Sequence, residues 1–195
     1  MNYLFFDLEC ANTFDNIGKI CEFGYVLTDE NLNVIRHGIH LINPVAKFDW
    51  YVKHKILSRP TSDYMNVPKY PKIYKEHIKE LLEAPDTVYV GHGVENDVKF
   101  LNDEAARYKL PKFERDYVDA ALIHKSFYNL ENTRSIKKII TEELGIKDKK
   151  KLHNSEYDAK MTLAYVNKMC QESNFSFEQL IKAHTMVTKK TVETV

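Results

Sequence analysis

The chain has 195 residues, enough for one sizeable hydrophobic core and barely enough for two domains. Its 28 Lys and Arg balance 28 Asp and Glu, so no global basic field advertises a polyanionic partner, although a metal site can supply positive charge locally. Three cysteines without a CxxC pair argue against a disulfide framework, and acids interrupt the apolar N-terminus too early for a signal peptide or membrane anchor, so a cytoplasmic protein is expected.

In chain order, Tyr3–Leu8 reads as a buried strand, and Lys19–Asp29 and Asn33–Ile42 as two more joined by a polar turn, an antiparallel hairpin. From Asn43 to Pro71 four prolines and scattered basic and aromatic residues predict a long loop with short helices. Ile73–Ala84 has helical spacing and is stopped by Pro85. Thr87–Gly93 is a short strand breaking at glycines, followed by a helix over Val94–Tyr108. Tyr117–His124 is a short buried strand running into a helix. Thr133–Ile146 is an amphipathic helix that Gly145 can cap. A strongly periodic helix begins at Ser155, and a last helix lies near Phe177–Val187. A hairpin followed by strand–helix alternation predicts one α/β domain over 1–195 with a mixed sheet covered by helices.

Four acids stand at places where acids are costly or informative. In a strand Asp7 and Glu9, at i and i+2, share a face. They are either solvated at a strand end or held together by a hard divalent cation such as Mg²⁺ or Mn²⁺. Asp97 enters a helix as it leaves a strand, where α/β sheets gather ligands. As a first-turn acid it also gains roughly 0.3–1 kcal/mol from the helix dipole. Ser155 and Asp158 have the spacing of a capping box. The alternative makes Asp158 a metal ligand beside His153, which can take a proton from water near neutral pH. Three separate strand ends or helix starts thus supply four acids and one histidine, an arrangement that two-metal phosphoryl chemistry requires.

The segments "FFDLEC", "VGHGVENDVKFL" and "HNSEYDAKMT" resemble, in order, the three exonuclease motifs of the DEDDh family of 3′–5′ exonucleases, over about Tyr3 to Met169. The resemblance implies a ribonuclease H-like fold and two divalent metal ions, Mg²⁺ or Mn²⁺. It implies Asp7, Glu9, Asp97 and Asp158 as their ligands, with Asp7 bridging, and His153 as the general base. It implies hydrolysis of single-stranded DNA or RNA from the 3′ end to nucleoside 5′-monophosphates, with a DNA polymerase as a candidate partner. Leu8, Cys10, Ala11, His54 and His92 fall at positions of substrate contact. Cys10–Ala11 stand where the family often has Thr-Thr, Gly93 where Asn commonly follows His92, Asn96 where Phe precedes Asp97, and Lys55 where Gly follows His54. Asp119 matches an acid usually read as structural. A non-catalytic nucleic-acid-binding or replication-accessory module of the same fold is the alternative, and the intact set of five favours the enzyme.

Lys47–Arg59 mixes Trp50 and Tyr51 with Lys47, Lys53, His54, Lys55 and Arg59. This is either a basic and aromatic track for a single strand or a surface helix with Trp50, Val52, Ile56 and Leu57 turned inward. The basic run "KDKKK" before His153 is expected to be a solvated loop.

Overall fold

Five strands carry the architecture in a computed structural model that describes residues 1–12, 18–147 and 152–184. They are β1 (Asn2–Cys10), β2 (Ile20–Thr28), β3 (Val34–Leu41), β4 (Thr87–Gly91) and β5 (Tyr117–Asp119), in the sheet order β3-β2-β1-β4-β5. The first three form an antiparallel meander, whereas β4 and β5 run parallel to β1. The Asp29 carboxylate fixes the β2–β3 turn by accepting from the amides of Asn31 and Asn33. The mixed sheet with its antiparallel hairpin is therefore as expected, with β1 reaching two residues beyond Leu8 to Cys10.

Helices cover both faces, which is why β1 and β2 are apolar almost throughout. Leu4, Phe6 and Phe23 pack on one face against Ile73, Ile78 and, from α4 (Glu95–Tyr108), Val98 and Leu101. Tyr3, Phe5 and Val26 pack on the other, beneath α5 (Ala120–Phe127), α6 (Ile136–Glu142), α7 (Ser155–Ser173) and α8 (Phe177–Ala183). The Phe177 ring lies 4.8 Å from that of Tyr3 and 5.9 Å from that of Phe5. Alternation along β1 then carries the row Tyr3, Phe5, Asp7, Glu9 from core to site on the α7 side.

The remaining helices differ from expectation mainly at their ends. Within the long loop lie a π-helical turn at Val52–Ile56 and a short α1 (Ser62–Met65). The helix expected from Ile73 starts earlier, as α2 (Tyr70–Ile73), because Pro71 is tolerated in a first turn. It continues through a π turn (Tyr74–Ile78) into α3 (Lys79–Leu82). The helix expected over Thr133–Ile146 shortens to α6. Ser135 caps its start, and its end closes through Gly145 at φ +68°, with the Ile146 amide donating to Ile140 O at 2.9 Å. Residues beyond 184, where the last helix was expected to continue, and 148–151 of the basic run lie outside the described residues. No described helix is long and apolar enough to cross a membrane.

Candidate active site

β1 outruns its parallel neighbour. Its pairing with β4 stops at Phe5 and Val90, because β4 ends at Gly91 and the chain turns into α4. A side chain at Gly91 would meet Val94 at 2.7 Å, so the missing Cβ sets how tightly that turn closes. Gly93 follows at φ +69°. Asn is among the few other residues that accept this left-handed conformation, which explains why Gly can stand where the resembled motif has Asn. The turn delivers Asp97, and its Oδ1 accepts the Leu8 amide, which lies beyond the β4 pairing, at 3.2 Å. Asp97 is thereby held against β1 between Asp7 and Glu9 in sequence, buried to 7% exposure.

On the other side α7 descends onto β2. Gly24 lies opposite Asp7 in the sheet, and a Cβ there would come within 2.0 Å of the Glu156 amide nitrogen and 2.1 Å of the Ser155 carbonyl carbon. Only a glycine lets the helix start this close to the strand. The cap of α7 is not the expected one. Asn154 accepts the Tyr157 amide at 3.0 Å, while Ser155 turns inward to Glu22. Asp158 has no capping duty. One of its oxygens accepts the His153 amide at 3.0 Å, and the other, Oδ1, is buried with no hydrogen-bond partner among the described residues. His153 adopts a left-handed backbone, φ +61°, and its Nδ1 lies 3.8 Å from Glu9 Oε1.

The electrostatics of these groups are one-sided. Burial raises the carboxyls of Asp7 and Glu9 well above their usual range, and the surrounding acids push in the same direction. Burial lifts Asp97 to about 8 although the Leu8 amide opposes it, and lifts Asp158 to about 7 against the His153 amide. Burial pushes His153 below its ordinary value, with Lys137 adding to the effect, so its imidazole is neutral at pH 7. Ligand atoms of Glu9, His153 and Asp158 all lie within 4.8 Å of one another. Clustered carboxylates, an orphaned buried oxygen and too little positive charge suit a hard divalent cation, which prefers oxygen donors.

The five residues proposed from sequence for the chemistry are thus brought to one end of β1. The substrate-contact candidates divide. Leu8 and Ala11 are buried and Cys10 is half-buried beside the acids. Ala11 offers its carbonyl to the Asp49 amide at 2.9 Å. His54 is exposed and its ring lies 5.1 Å from that of Trp50. His92 instead spends its Nδ1 on the Tyr165 hydroxyl, 3.0 Å away in α7, and burial holds it down at about 4. Asp119 is structural, as expected. It caps α5 through the amides of Ala121 and Leu122 and accepts the Gly93 amide at 3.0 Å.

Sequence reasoning missed Glu22. It is fully buried, directly across the strand pair from Glu9, and unavailable as a ligand. It accepts the Tyr64 hydroxyl and both the amide and hydroxyl of Ser155, and pairs with Arg59 at 3.5 Å. The signal was present, because an acid inside the apolar strand "KICEFGYVLT" poses the same question as Asp7.

The family model described as "DNA polymerase III subunit epsilon-like, C-terminal domain" of the DEDDh group matches residues 57–169, a stretch holding Asp97, His153 and Asp158. The chain is 25% identical over 175 residues to the DNA polymerase III PolC-type of Ureaplasma parvum, covering 89% of this chain but only 12% of that protein. It is 22% identical over 173 residues to the DNA polymerase III subunit epsilon of Aquifex aeolicus, covering 88% and 78% respectively. Among solved structures, the nuclease domain of 3'hExo, a DEDDh family member bound to rAMP, superposes with a TM-score of 0.73 at 19% identity, over 88% of this chain and 92% of that one. E. coli Exonuclease I in complex with a dT13 oligonucleotide does so with a TM-score of 0.75 at 16% identity, over 95% and 45%. These superpositions establish the ribonuclease H-like fold.

Proposed function

The chain belongs to the DNA polymerase III subunit epsilon-like DEDDh family of 3′–5′ exonucleases, and from that membership we propose that it shortens single-stranded nucleic acid from the 3′ end, releasing nucleoside 5′-monophosphates. The observation that carries the reading is the meeting of Asp7 and Glu9 on β1 with Asp97 from α4 and Asp158 from α7, and His153 3.8 Å from Glu9. Asp7, Glu9, Asp97 and Asp158 would hold two divalent cations, Mg²⁺ or Mn²⁺, which when bound would supply positive charge to offset the phosphoryl and leaving oxygens.

The chain's own residues supply the rest. Neutral His153 accepts a proton from the attacking water at an imidazole nitrogen, so hydroxide character develops where the phosphorus will be attacked. The water oxygen bonds to phosphorus as the bond from phosphorus to the 3′ oxygen breaks, and that oxygen takes a proton from solvent. The His153 amide keeps Asp158 oriented, and the Leu8 amide does the same for Asp97, so neither acid must reorganise during the reaction. By the same reading Cys10, half-buried beside the acids, and Ala11 next to it would be the contacts of the terminal nucleotide. A role beside a DNA polymerase in the cytoplasm is part of this proposal, supported by the two replicative relatives and three free cysteines.

The test is a time course on 5′-labelled single-stranded DNA and RNA oligomers with Mg²⁺ or Mn²⁺. The wild-type protein is expected to produce a 3′-shortening ladder, and Asp7→Ala and Asp158→Ala to lose it while circular dichroism stays unchanged. Intact oligomers of both kinds with either metal would remove the enzyme reading in favour of a non-catalytic binding module.

A further inference from the structure

Trp50 is the chain's single tryptophan, and 68% of it is exposed; its neighbour Tyr51 is 54% exposed. Large aromatic rings are normally well buried, so two adjacent ones facing solvent call for an occupant. The packing of the segment does not require them outside, because Val52 is its buried residue and Ile56 and Leu57 are half-buried. Of the surface-helix reading open from sequence, the inward turn holds for Val52 and in part for Ile56 and Leu57, and is overturned for Trp50.

The position of the segment is specific. Just before Trp50, the Asp49 amide donates to Ala11 O, two residues beyond Glu9. Just after Leu57, the Ser58 amide donates to His153 O at 3.3 Å, and Arg59 pairs with Glu22. The aromatic pair is therefore carried on a strap fastened to β1's end on one side and to the general base on the other. The π-helical turn leaves Lys53, His54 and Lys55 exposed, and Lys47 is exposed ahead of it. The ring of His54 leans on Trp50, which limits the orientations open to the indole. Flat π-faces beside flexible cations are what a single-stranded phosphodiester chain presents complementary groups to: bases that stack and phosphates that pair.

We propose that Trp50 and Tyr51 form a stacking platform at the mouth of the active site for the bases of the single strand upstream of the 3′-terminal nucleotide. The proposal rests on the exonuclease reading and adds a second contact region to it. The occupant is a single strand rather than a duplex, because bases inside a duplex have their faces covered by stacking on neighbouring pairs.

The indole reports on itself. Tryptophan emission of the full chain would be titrated with an oligothymidylate of about eight nucleotides, with Ca²⁺ replacing Mg²⁺ to limit turnover, and with an abasic phosphodiester chain of the same length. Quenching by the oligothymidylate and not by the abasic chain is expected. In fluorescence anisotropy of a 5′-labelled oligothymidylate, which needs no tryptophan in the protein, Trp50→Ala should weaken binding roughly 5- to 100-fold, the equivalent of one lost stacking partner, and Trp50→Phe should restore most of it. No quenching, equal quenching by both chains, or unchanged affinity in a folded Trp50→Ala protein would overturn the platform. Shortening of the same oligothymidylate with Mg²⁺, run in parallel, judges the exonuclease reading separately. Shortening without quenching removes only the platform, and quenching without shortening removes only the enzyme.

Discussion

The amide and the hydroxyl of Ser155 both donate to a single carboxylate oxygen of Glu22, at 3.2 and 3.1 Å, fastening the start of α7 to a strand 133 residues earlier in the chain. Glu22→Ala would leave the Ser155 amide and the Tyr64 hydroxyl unpaired in the interior and take the partner from the half-buried Arg59. A loss of about 3–5 kcal/mol in denaturant unfolding is expected, as for other broken buried ion pairs. Ser155→Ala removes one donor and should cost about 1 kcal/mol. Equal costs for the two variants would mean that Glu22 is not the anchor.

Gly24 gives a steric version of the same test. Gly24→Ala puts a methyl group into the backbone of Ser155 and Glu156, neither of which can swing aside. The helix must lift, at a cost of about 1–3 kcal/mol by the usual scale of overpacking. Displacing Asp158 and His153 by about 1 Å should lower kcat by roughly 10²-fold. Gly38, where an added Cβ meets only the Tyr25 side chain at 3.3 Å, is the control, and Gly38→Ala should leave kcat near wild type.

The raised carboxyls link pH to stability in a stated direction. Asp97 and Asp158 keep protons in the folded protein at pH values where an unfolded carboxyl, near 3.8, has lost them. Their contribution is complete below that value and disappears as pH rises through about 7 for Asp158 and about 8 for Asp97. The loss therefore runs from about 3.8 upward, and above about 6.5, where the unfolded histidines have also lost their protons, the chelator-treated protein should go on losing thermal stability until about pH 8. His40, His92 and His153, all held low, are already neutral there and add no slope. Added Mn²⁺ should flatten the dependence, because metal binding displaces the protons. Asp97→Asn should raise the Tm of the chelated protein at the upper end of this range and abolish nuclease activity. A Tm that rises with pH in chelator would refute the assignment.

His153 carries a prediction for the rate. With its value below 6.5, the acid limb of the kcat profile should fall below that of an ordinary histidine, and nearby cations shift it in the same direction. His153→Ala should lower kcat by about 10²–10⁴-fold, the range for a general base, and should spare metal binding in calorimetry. A limb above 6.5, or a variant that loses its metal together with its rate, would point to a different role.

The sheet and the acids were legible in the sequence for different reasons. β1 and β2 declare themselves through apolar runs that only a strand covered on both faces tolerates. Asp7, Glu9, Asp97, His153 and Asp158 stood out because each interrupts or begins such an element, and their common meaning came from motif order. Glu22 carried a similar mark and was passed over, since its partners lie at Arg59, Tyr64 and Ser155. The capping box that Ser155 and Asp158 offered as an alternative does not form, for the same reason. A local pattern cannot show that a distant carboxylate outbids a neighbouring amide, and Asn154 supplies the cap instead. Trp50 resisted reading because amphipathic spacing on a loop does not say which side faces solvent.

The two fastenings of the acidic cluster also bear on when the protein becomes active during its synthesis. Asp97 reaches β1 across 89 residues and α7 reaches Glu22 across 133, so no short stretch of chain holds a working set of ligands. A ribosome-bound fragment that ends before His153 has β1, β2 and α4 but neither Asp158 nor His153. Nuclease activity should thus emerge late, when α7 seats on Gly24, and vanish whenever that helix frays. A nascent chain emerging beside its own messenger would remain inert until almost the whole domain is made.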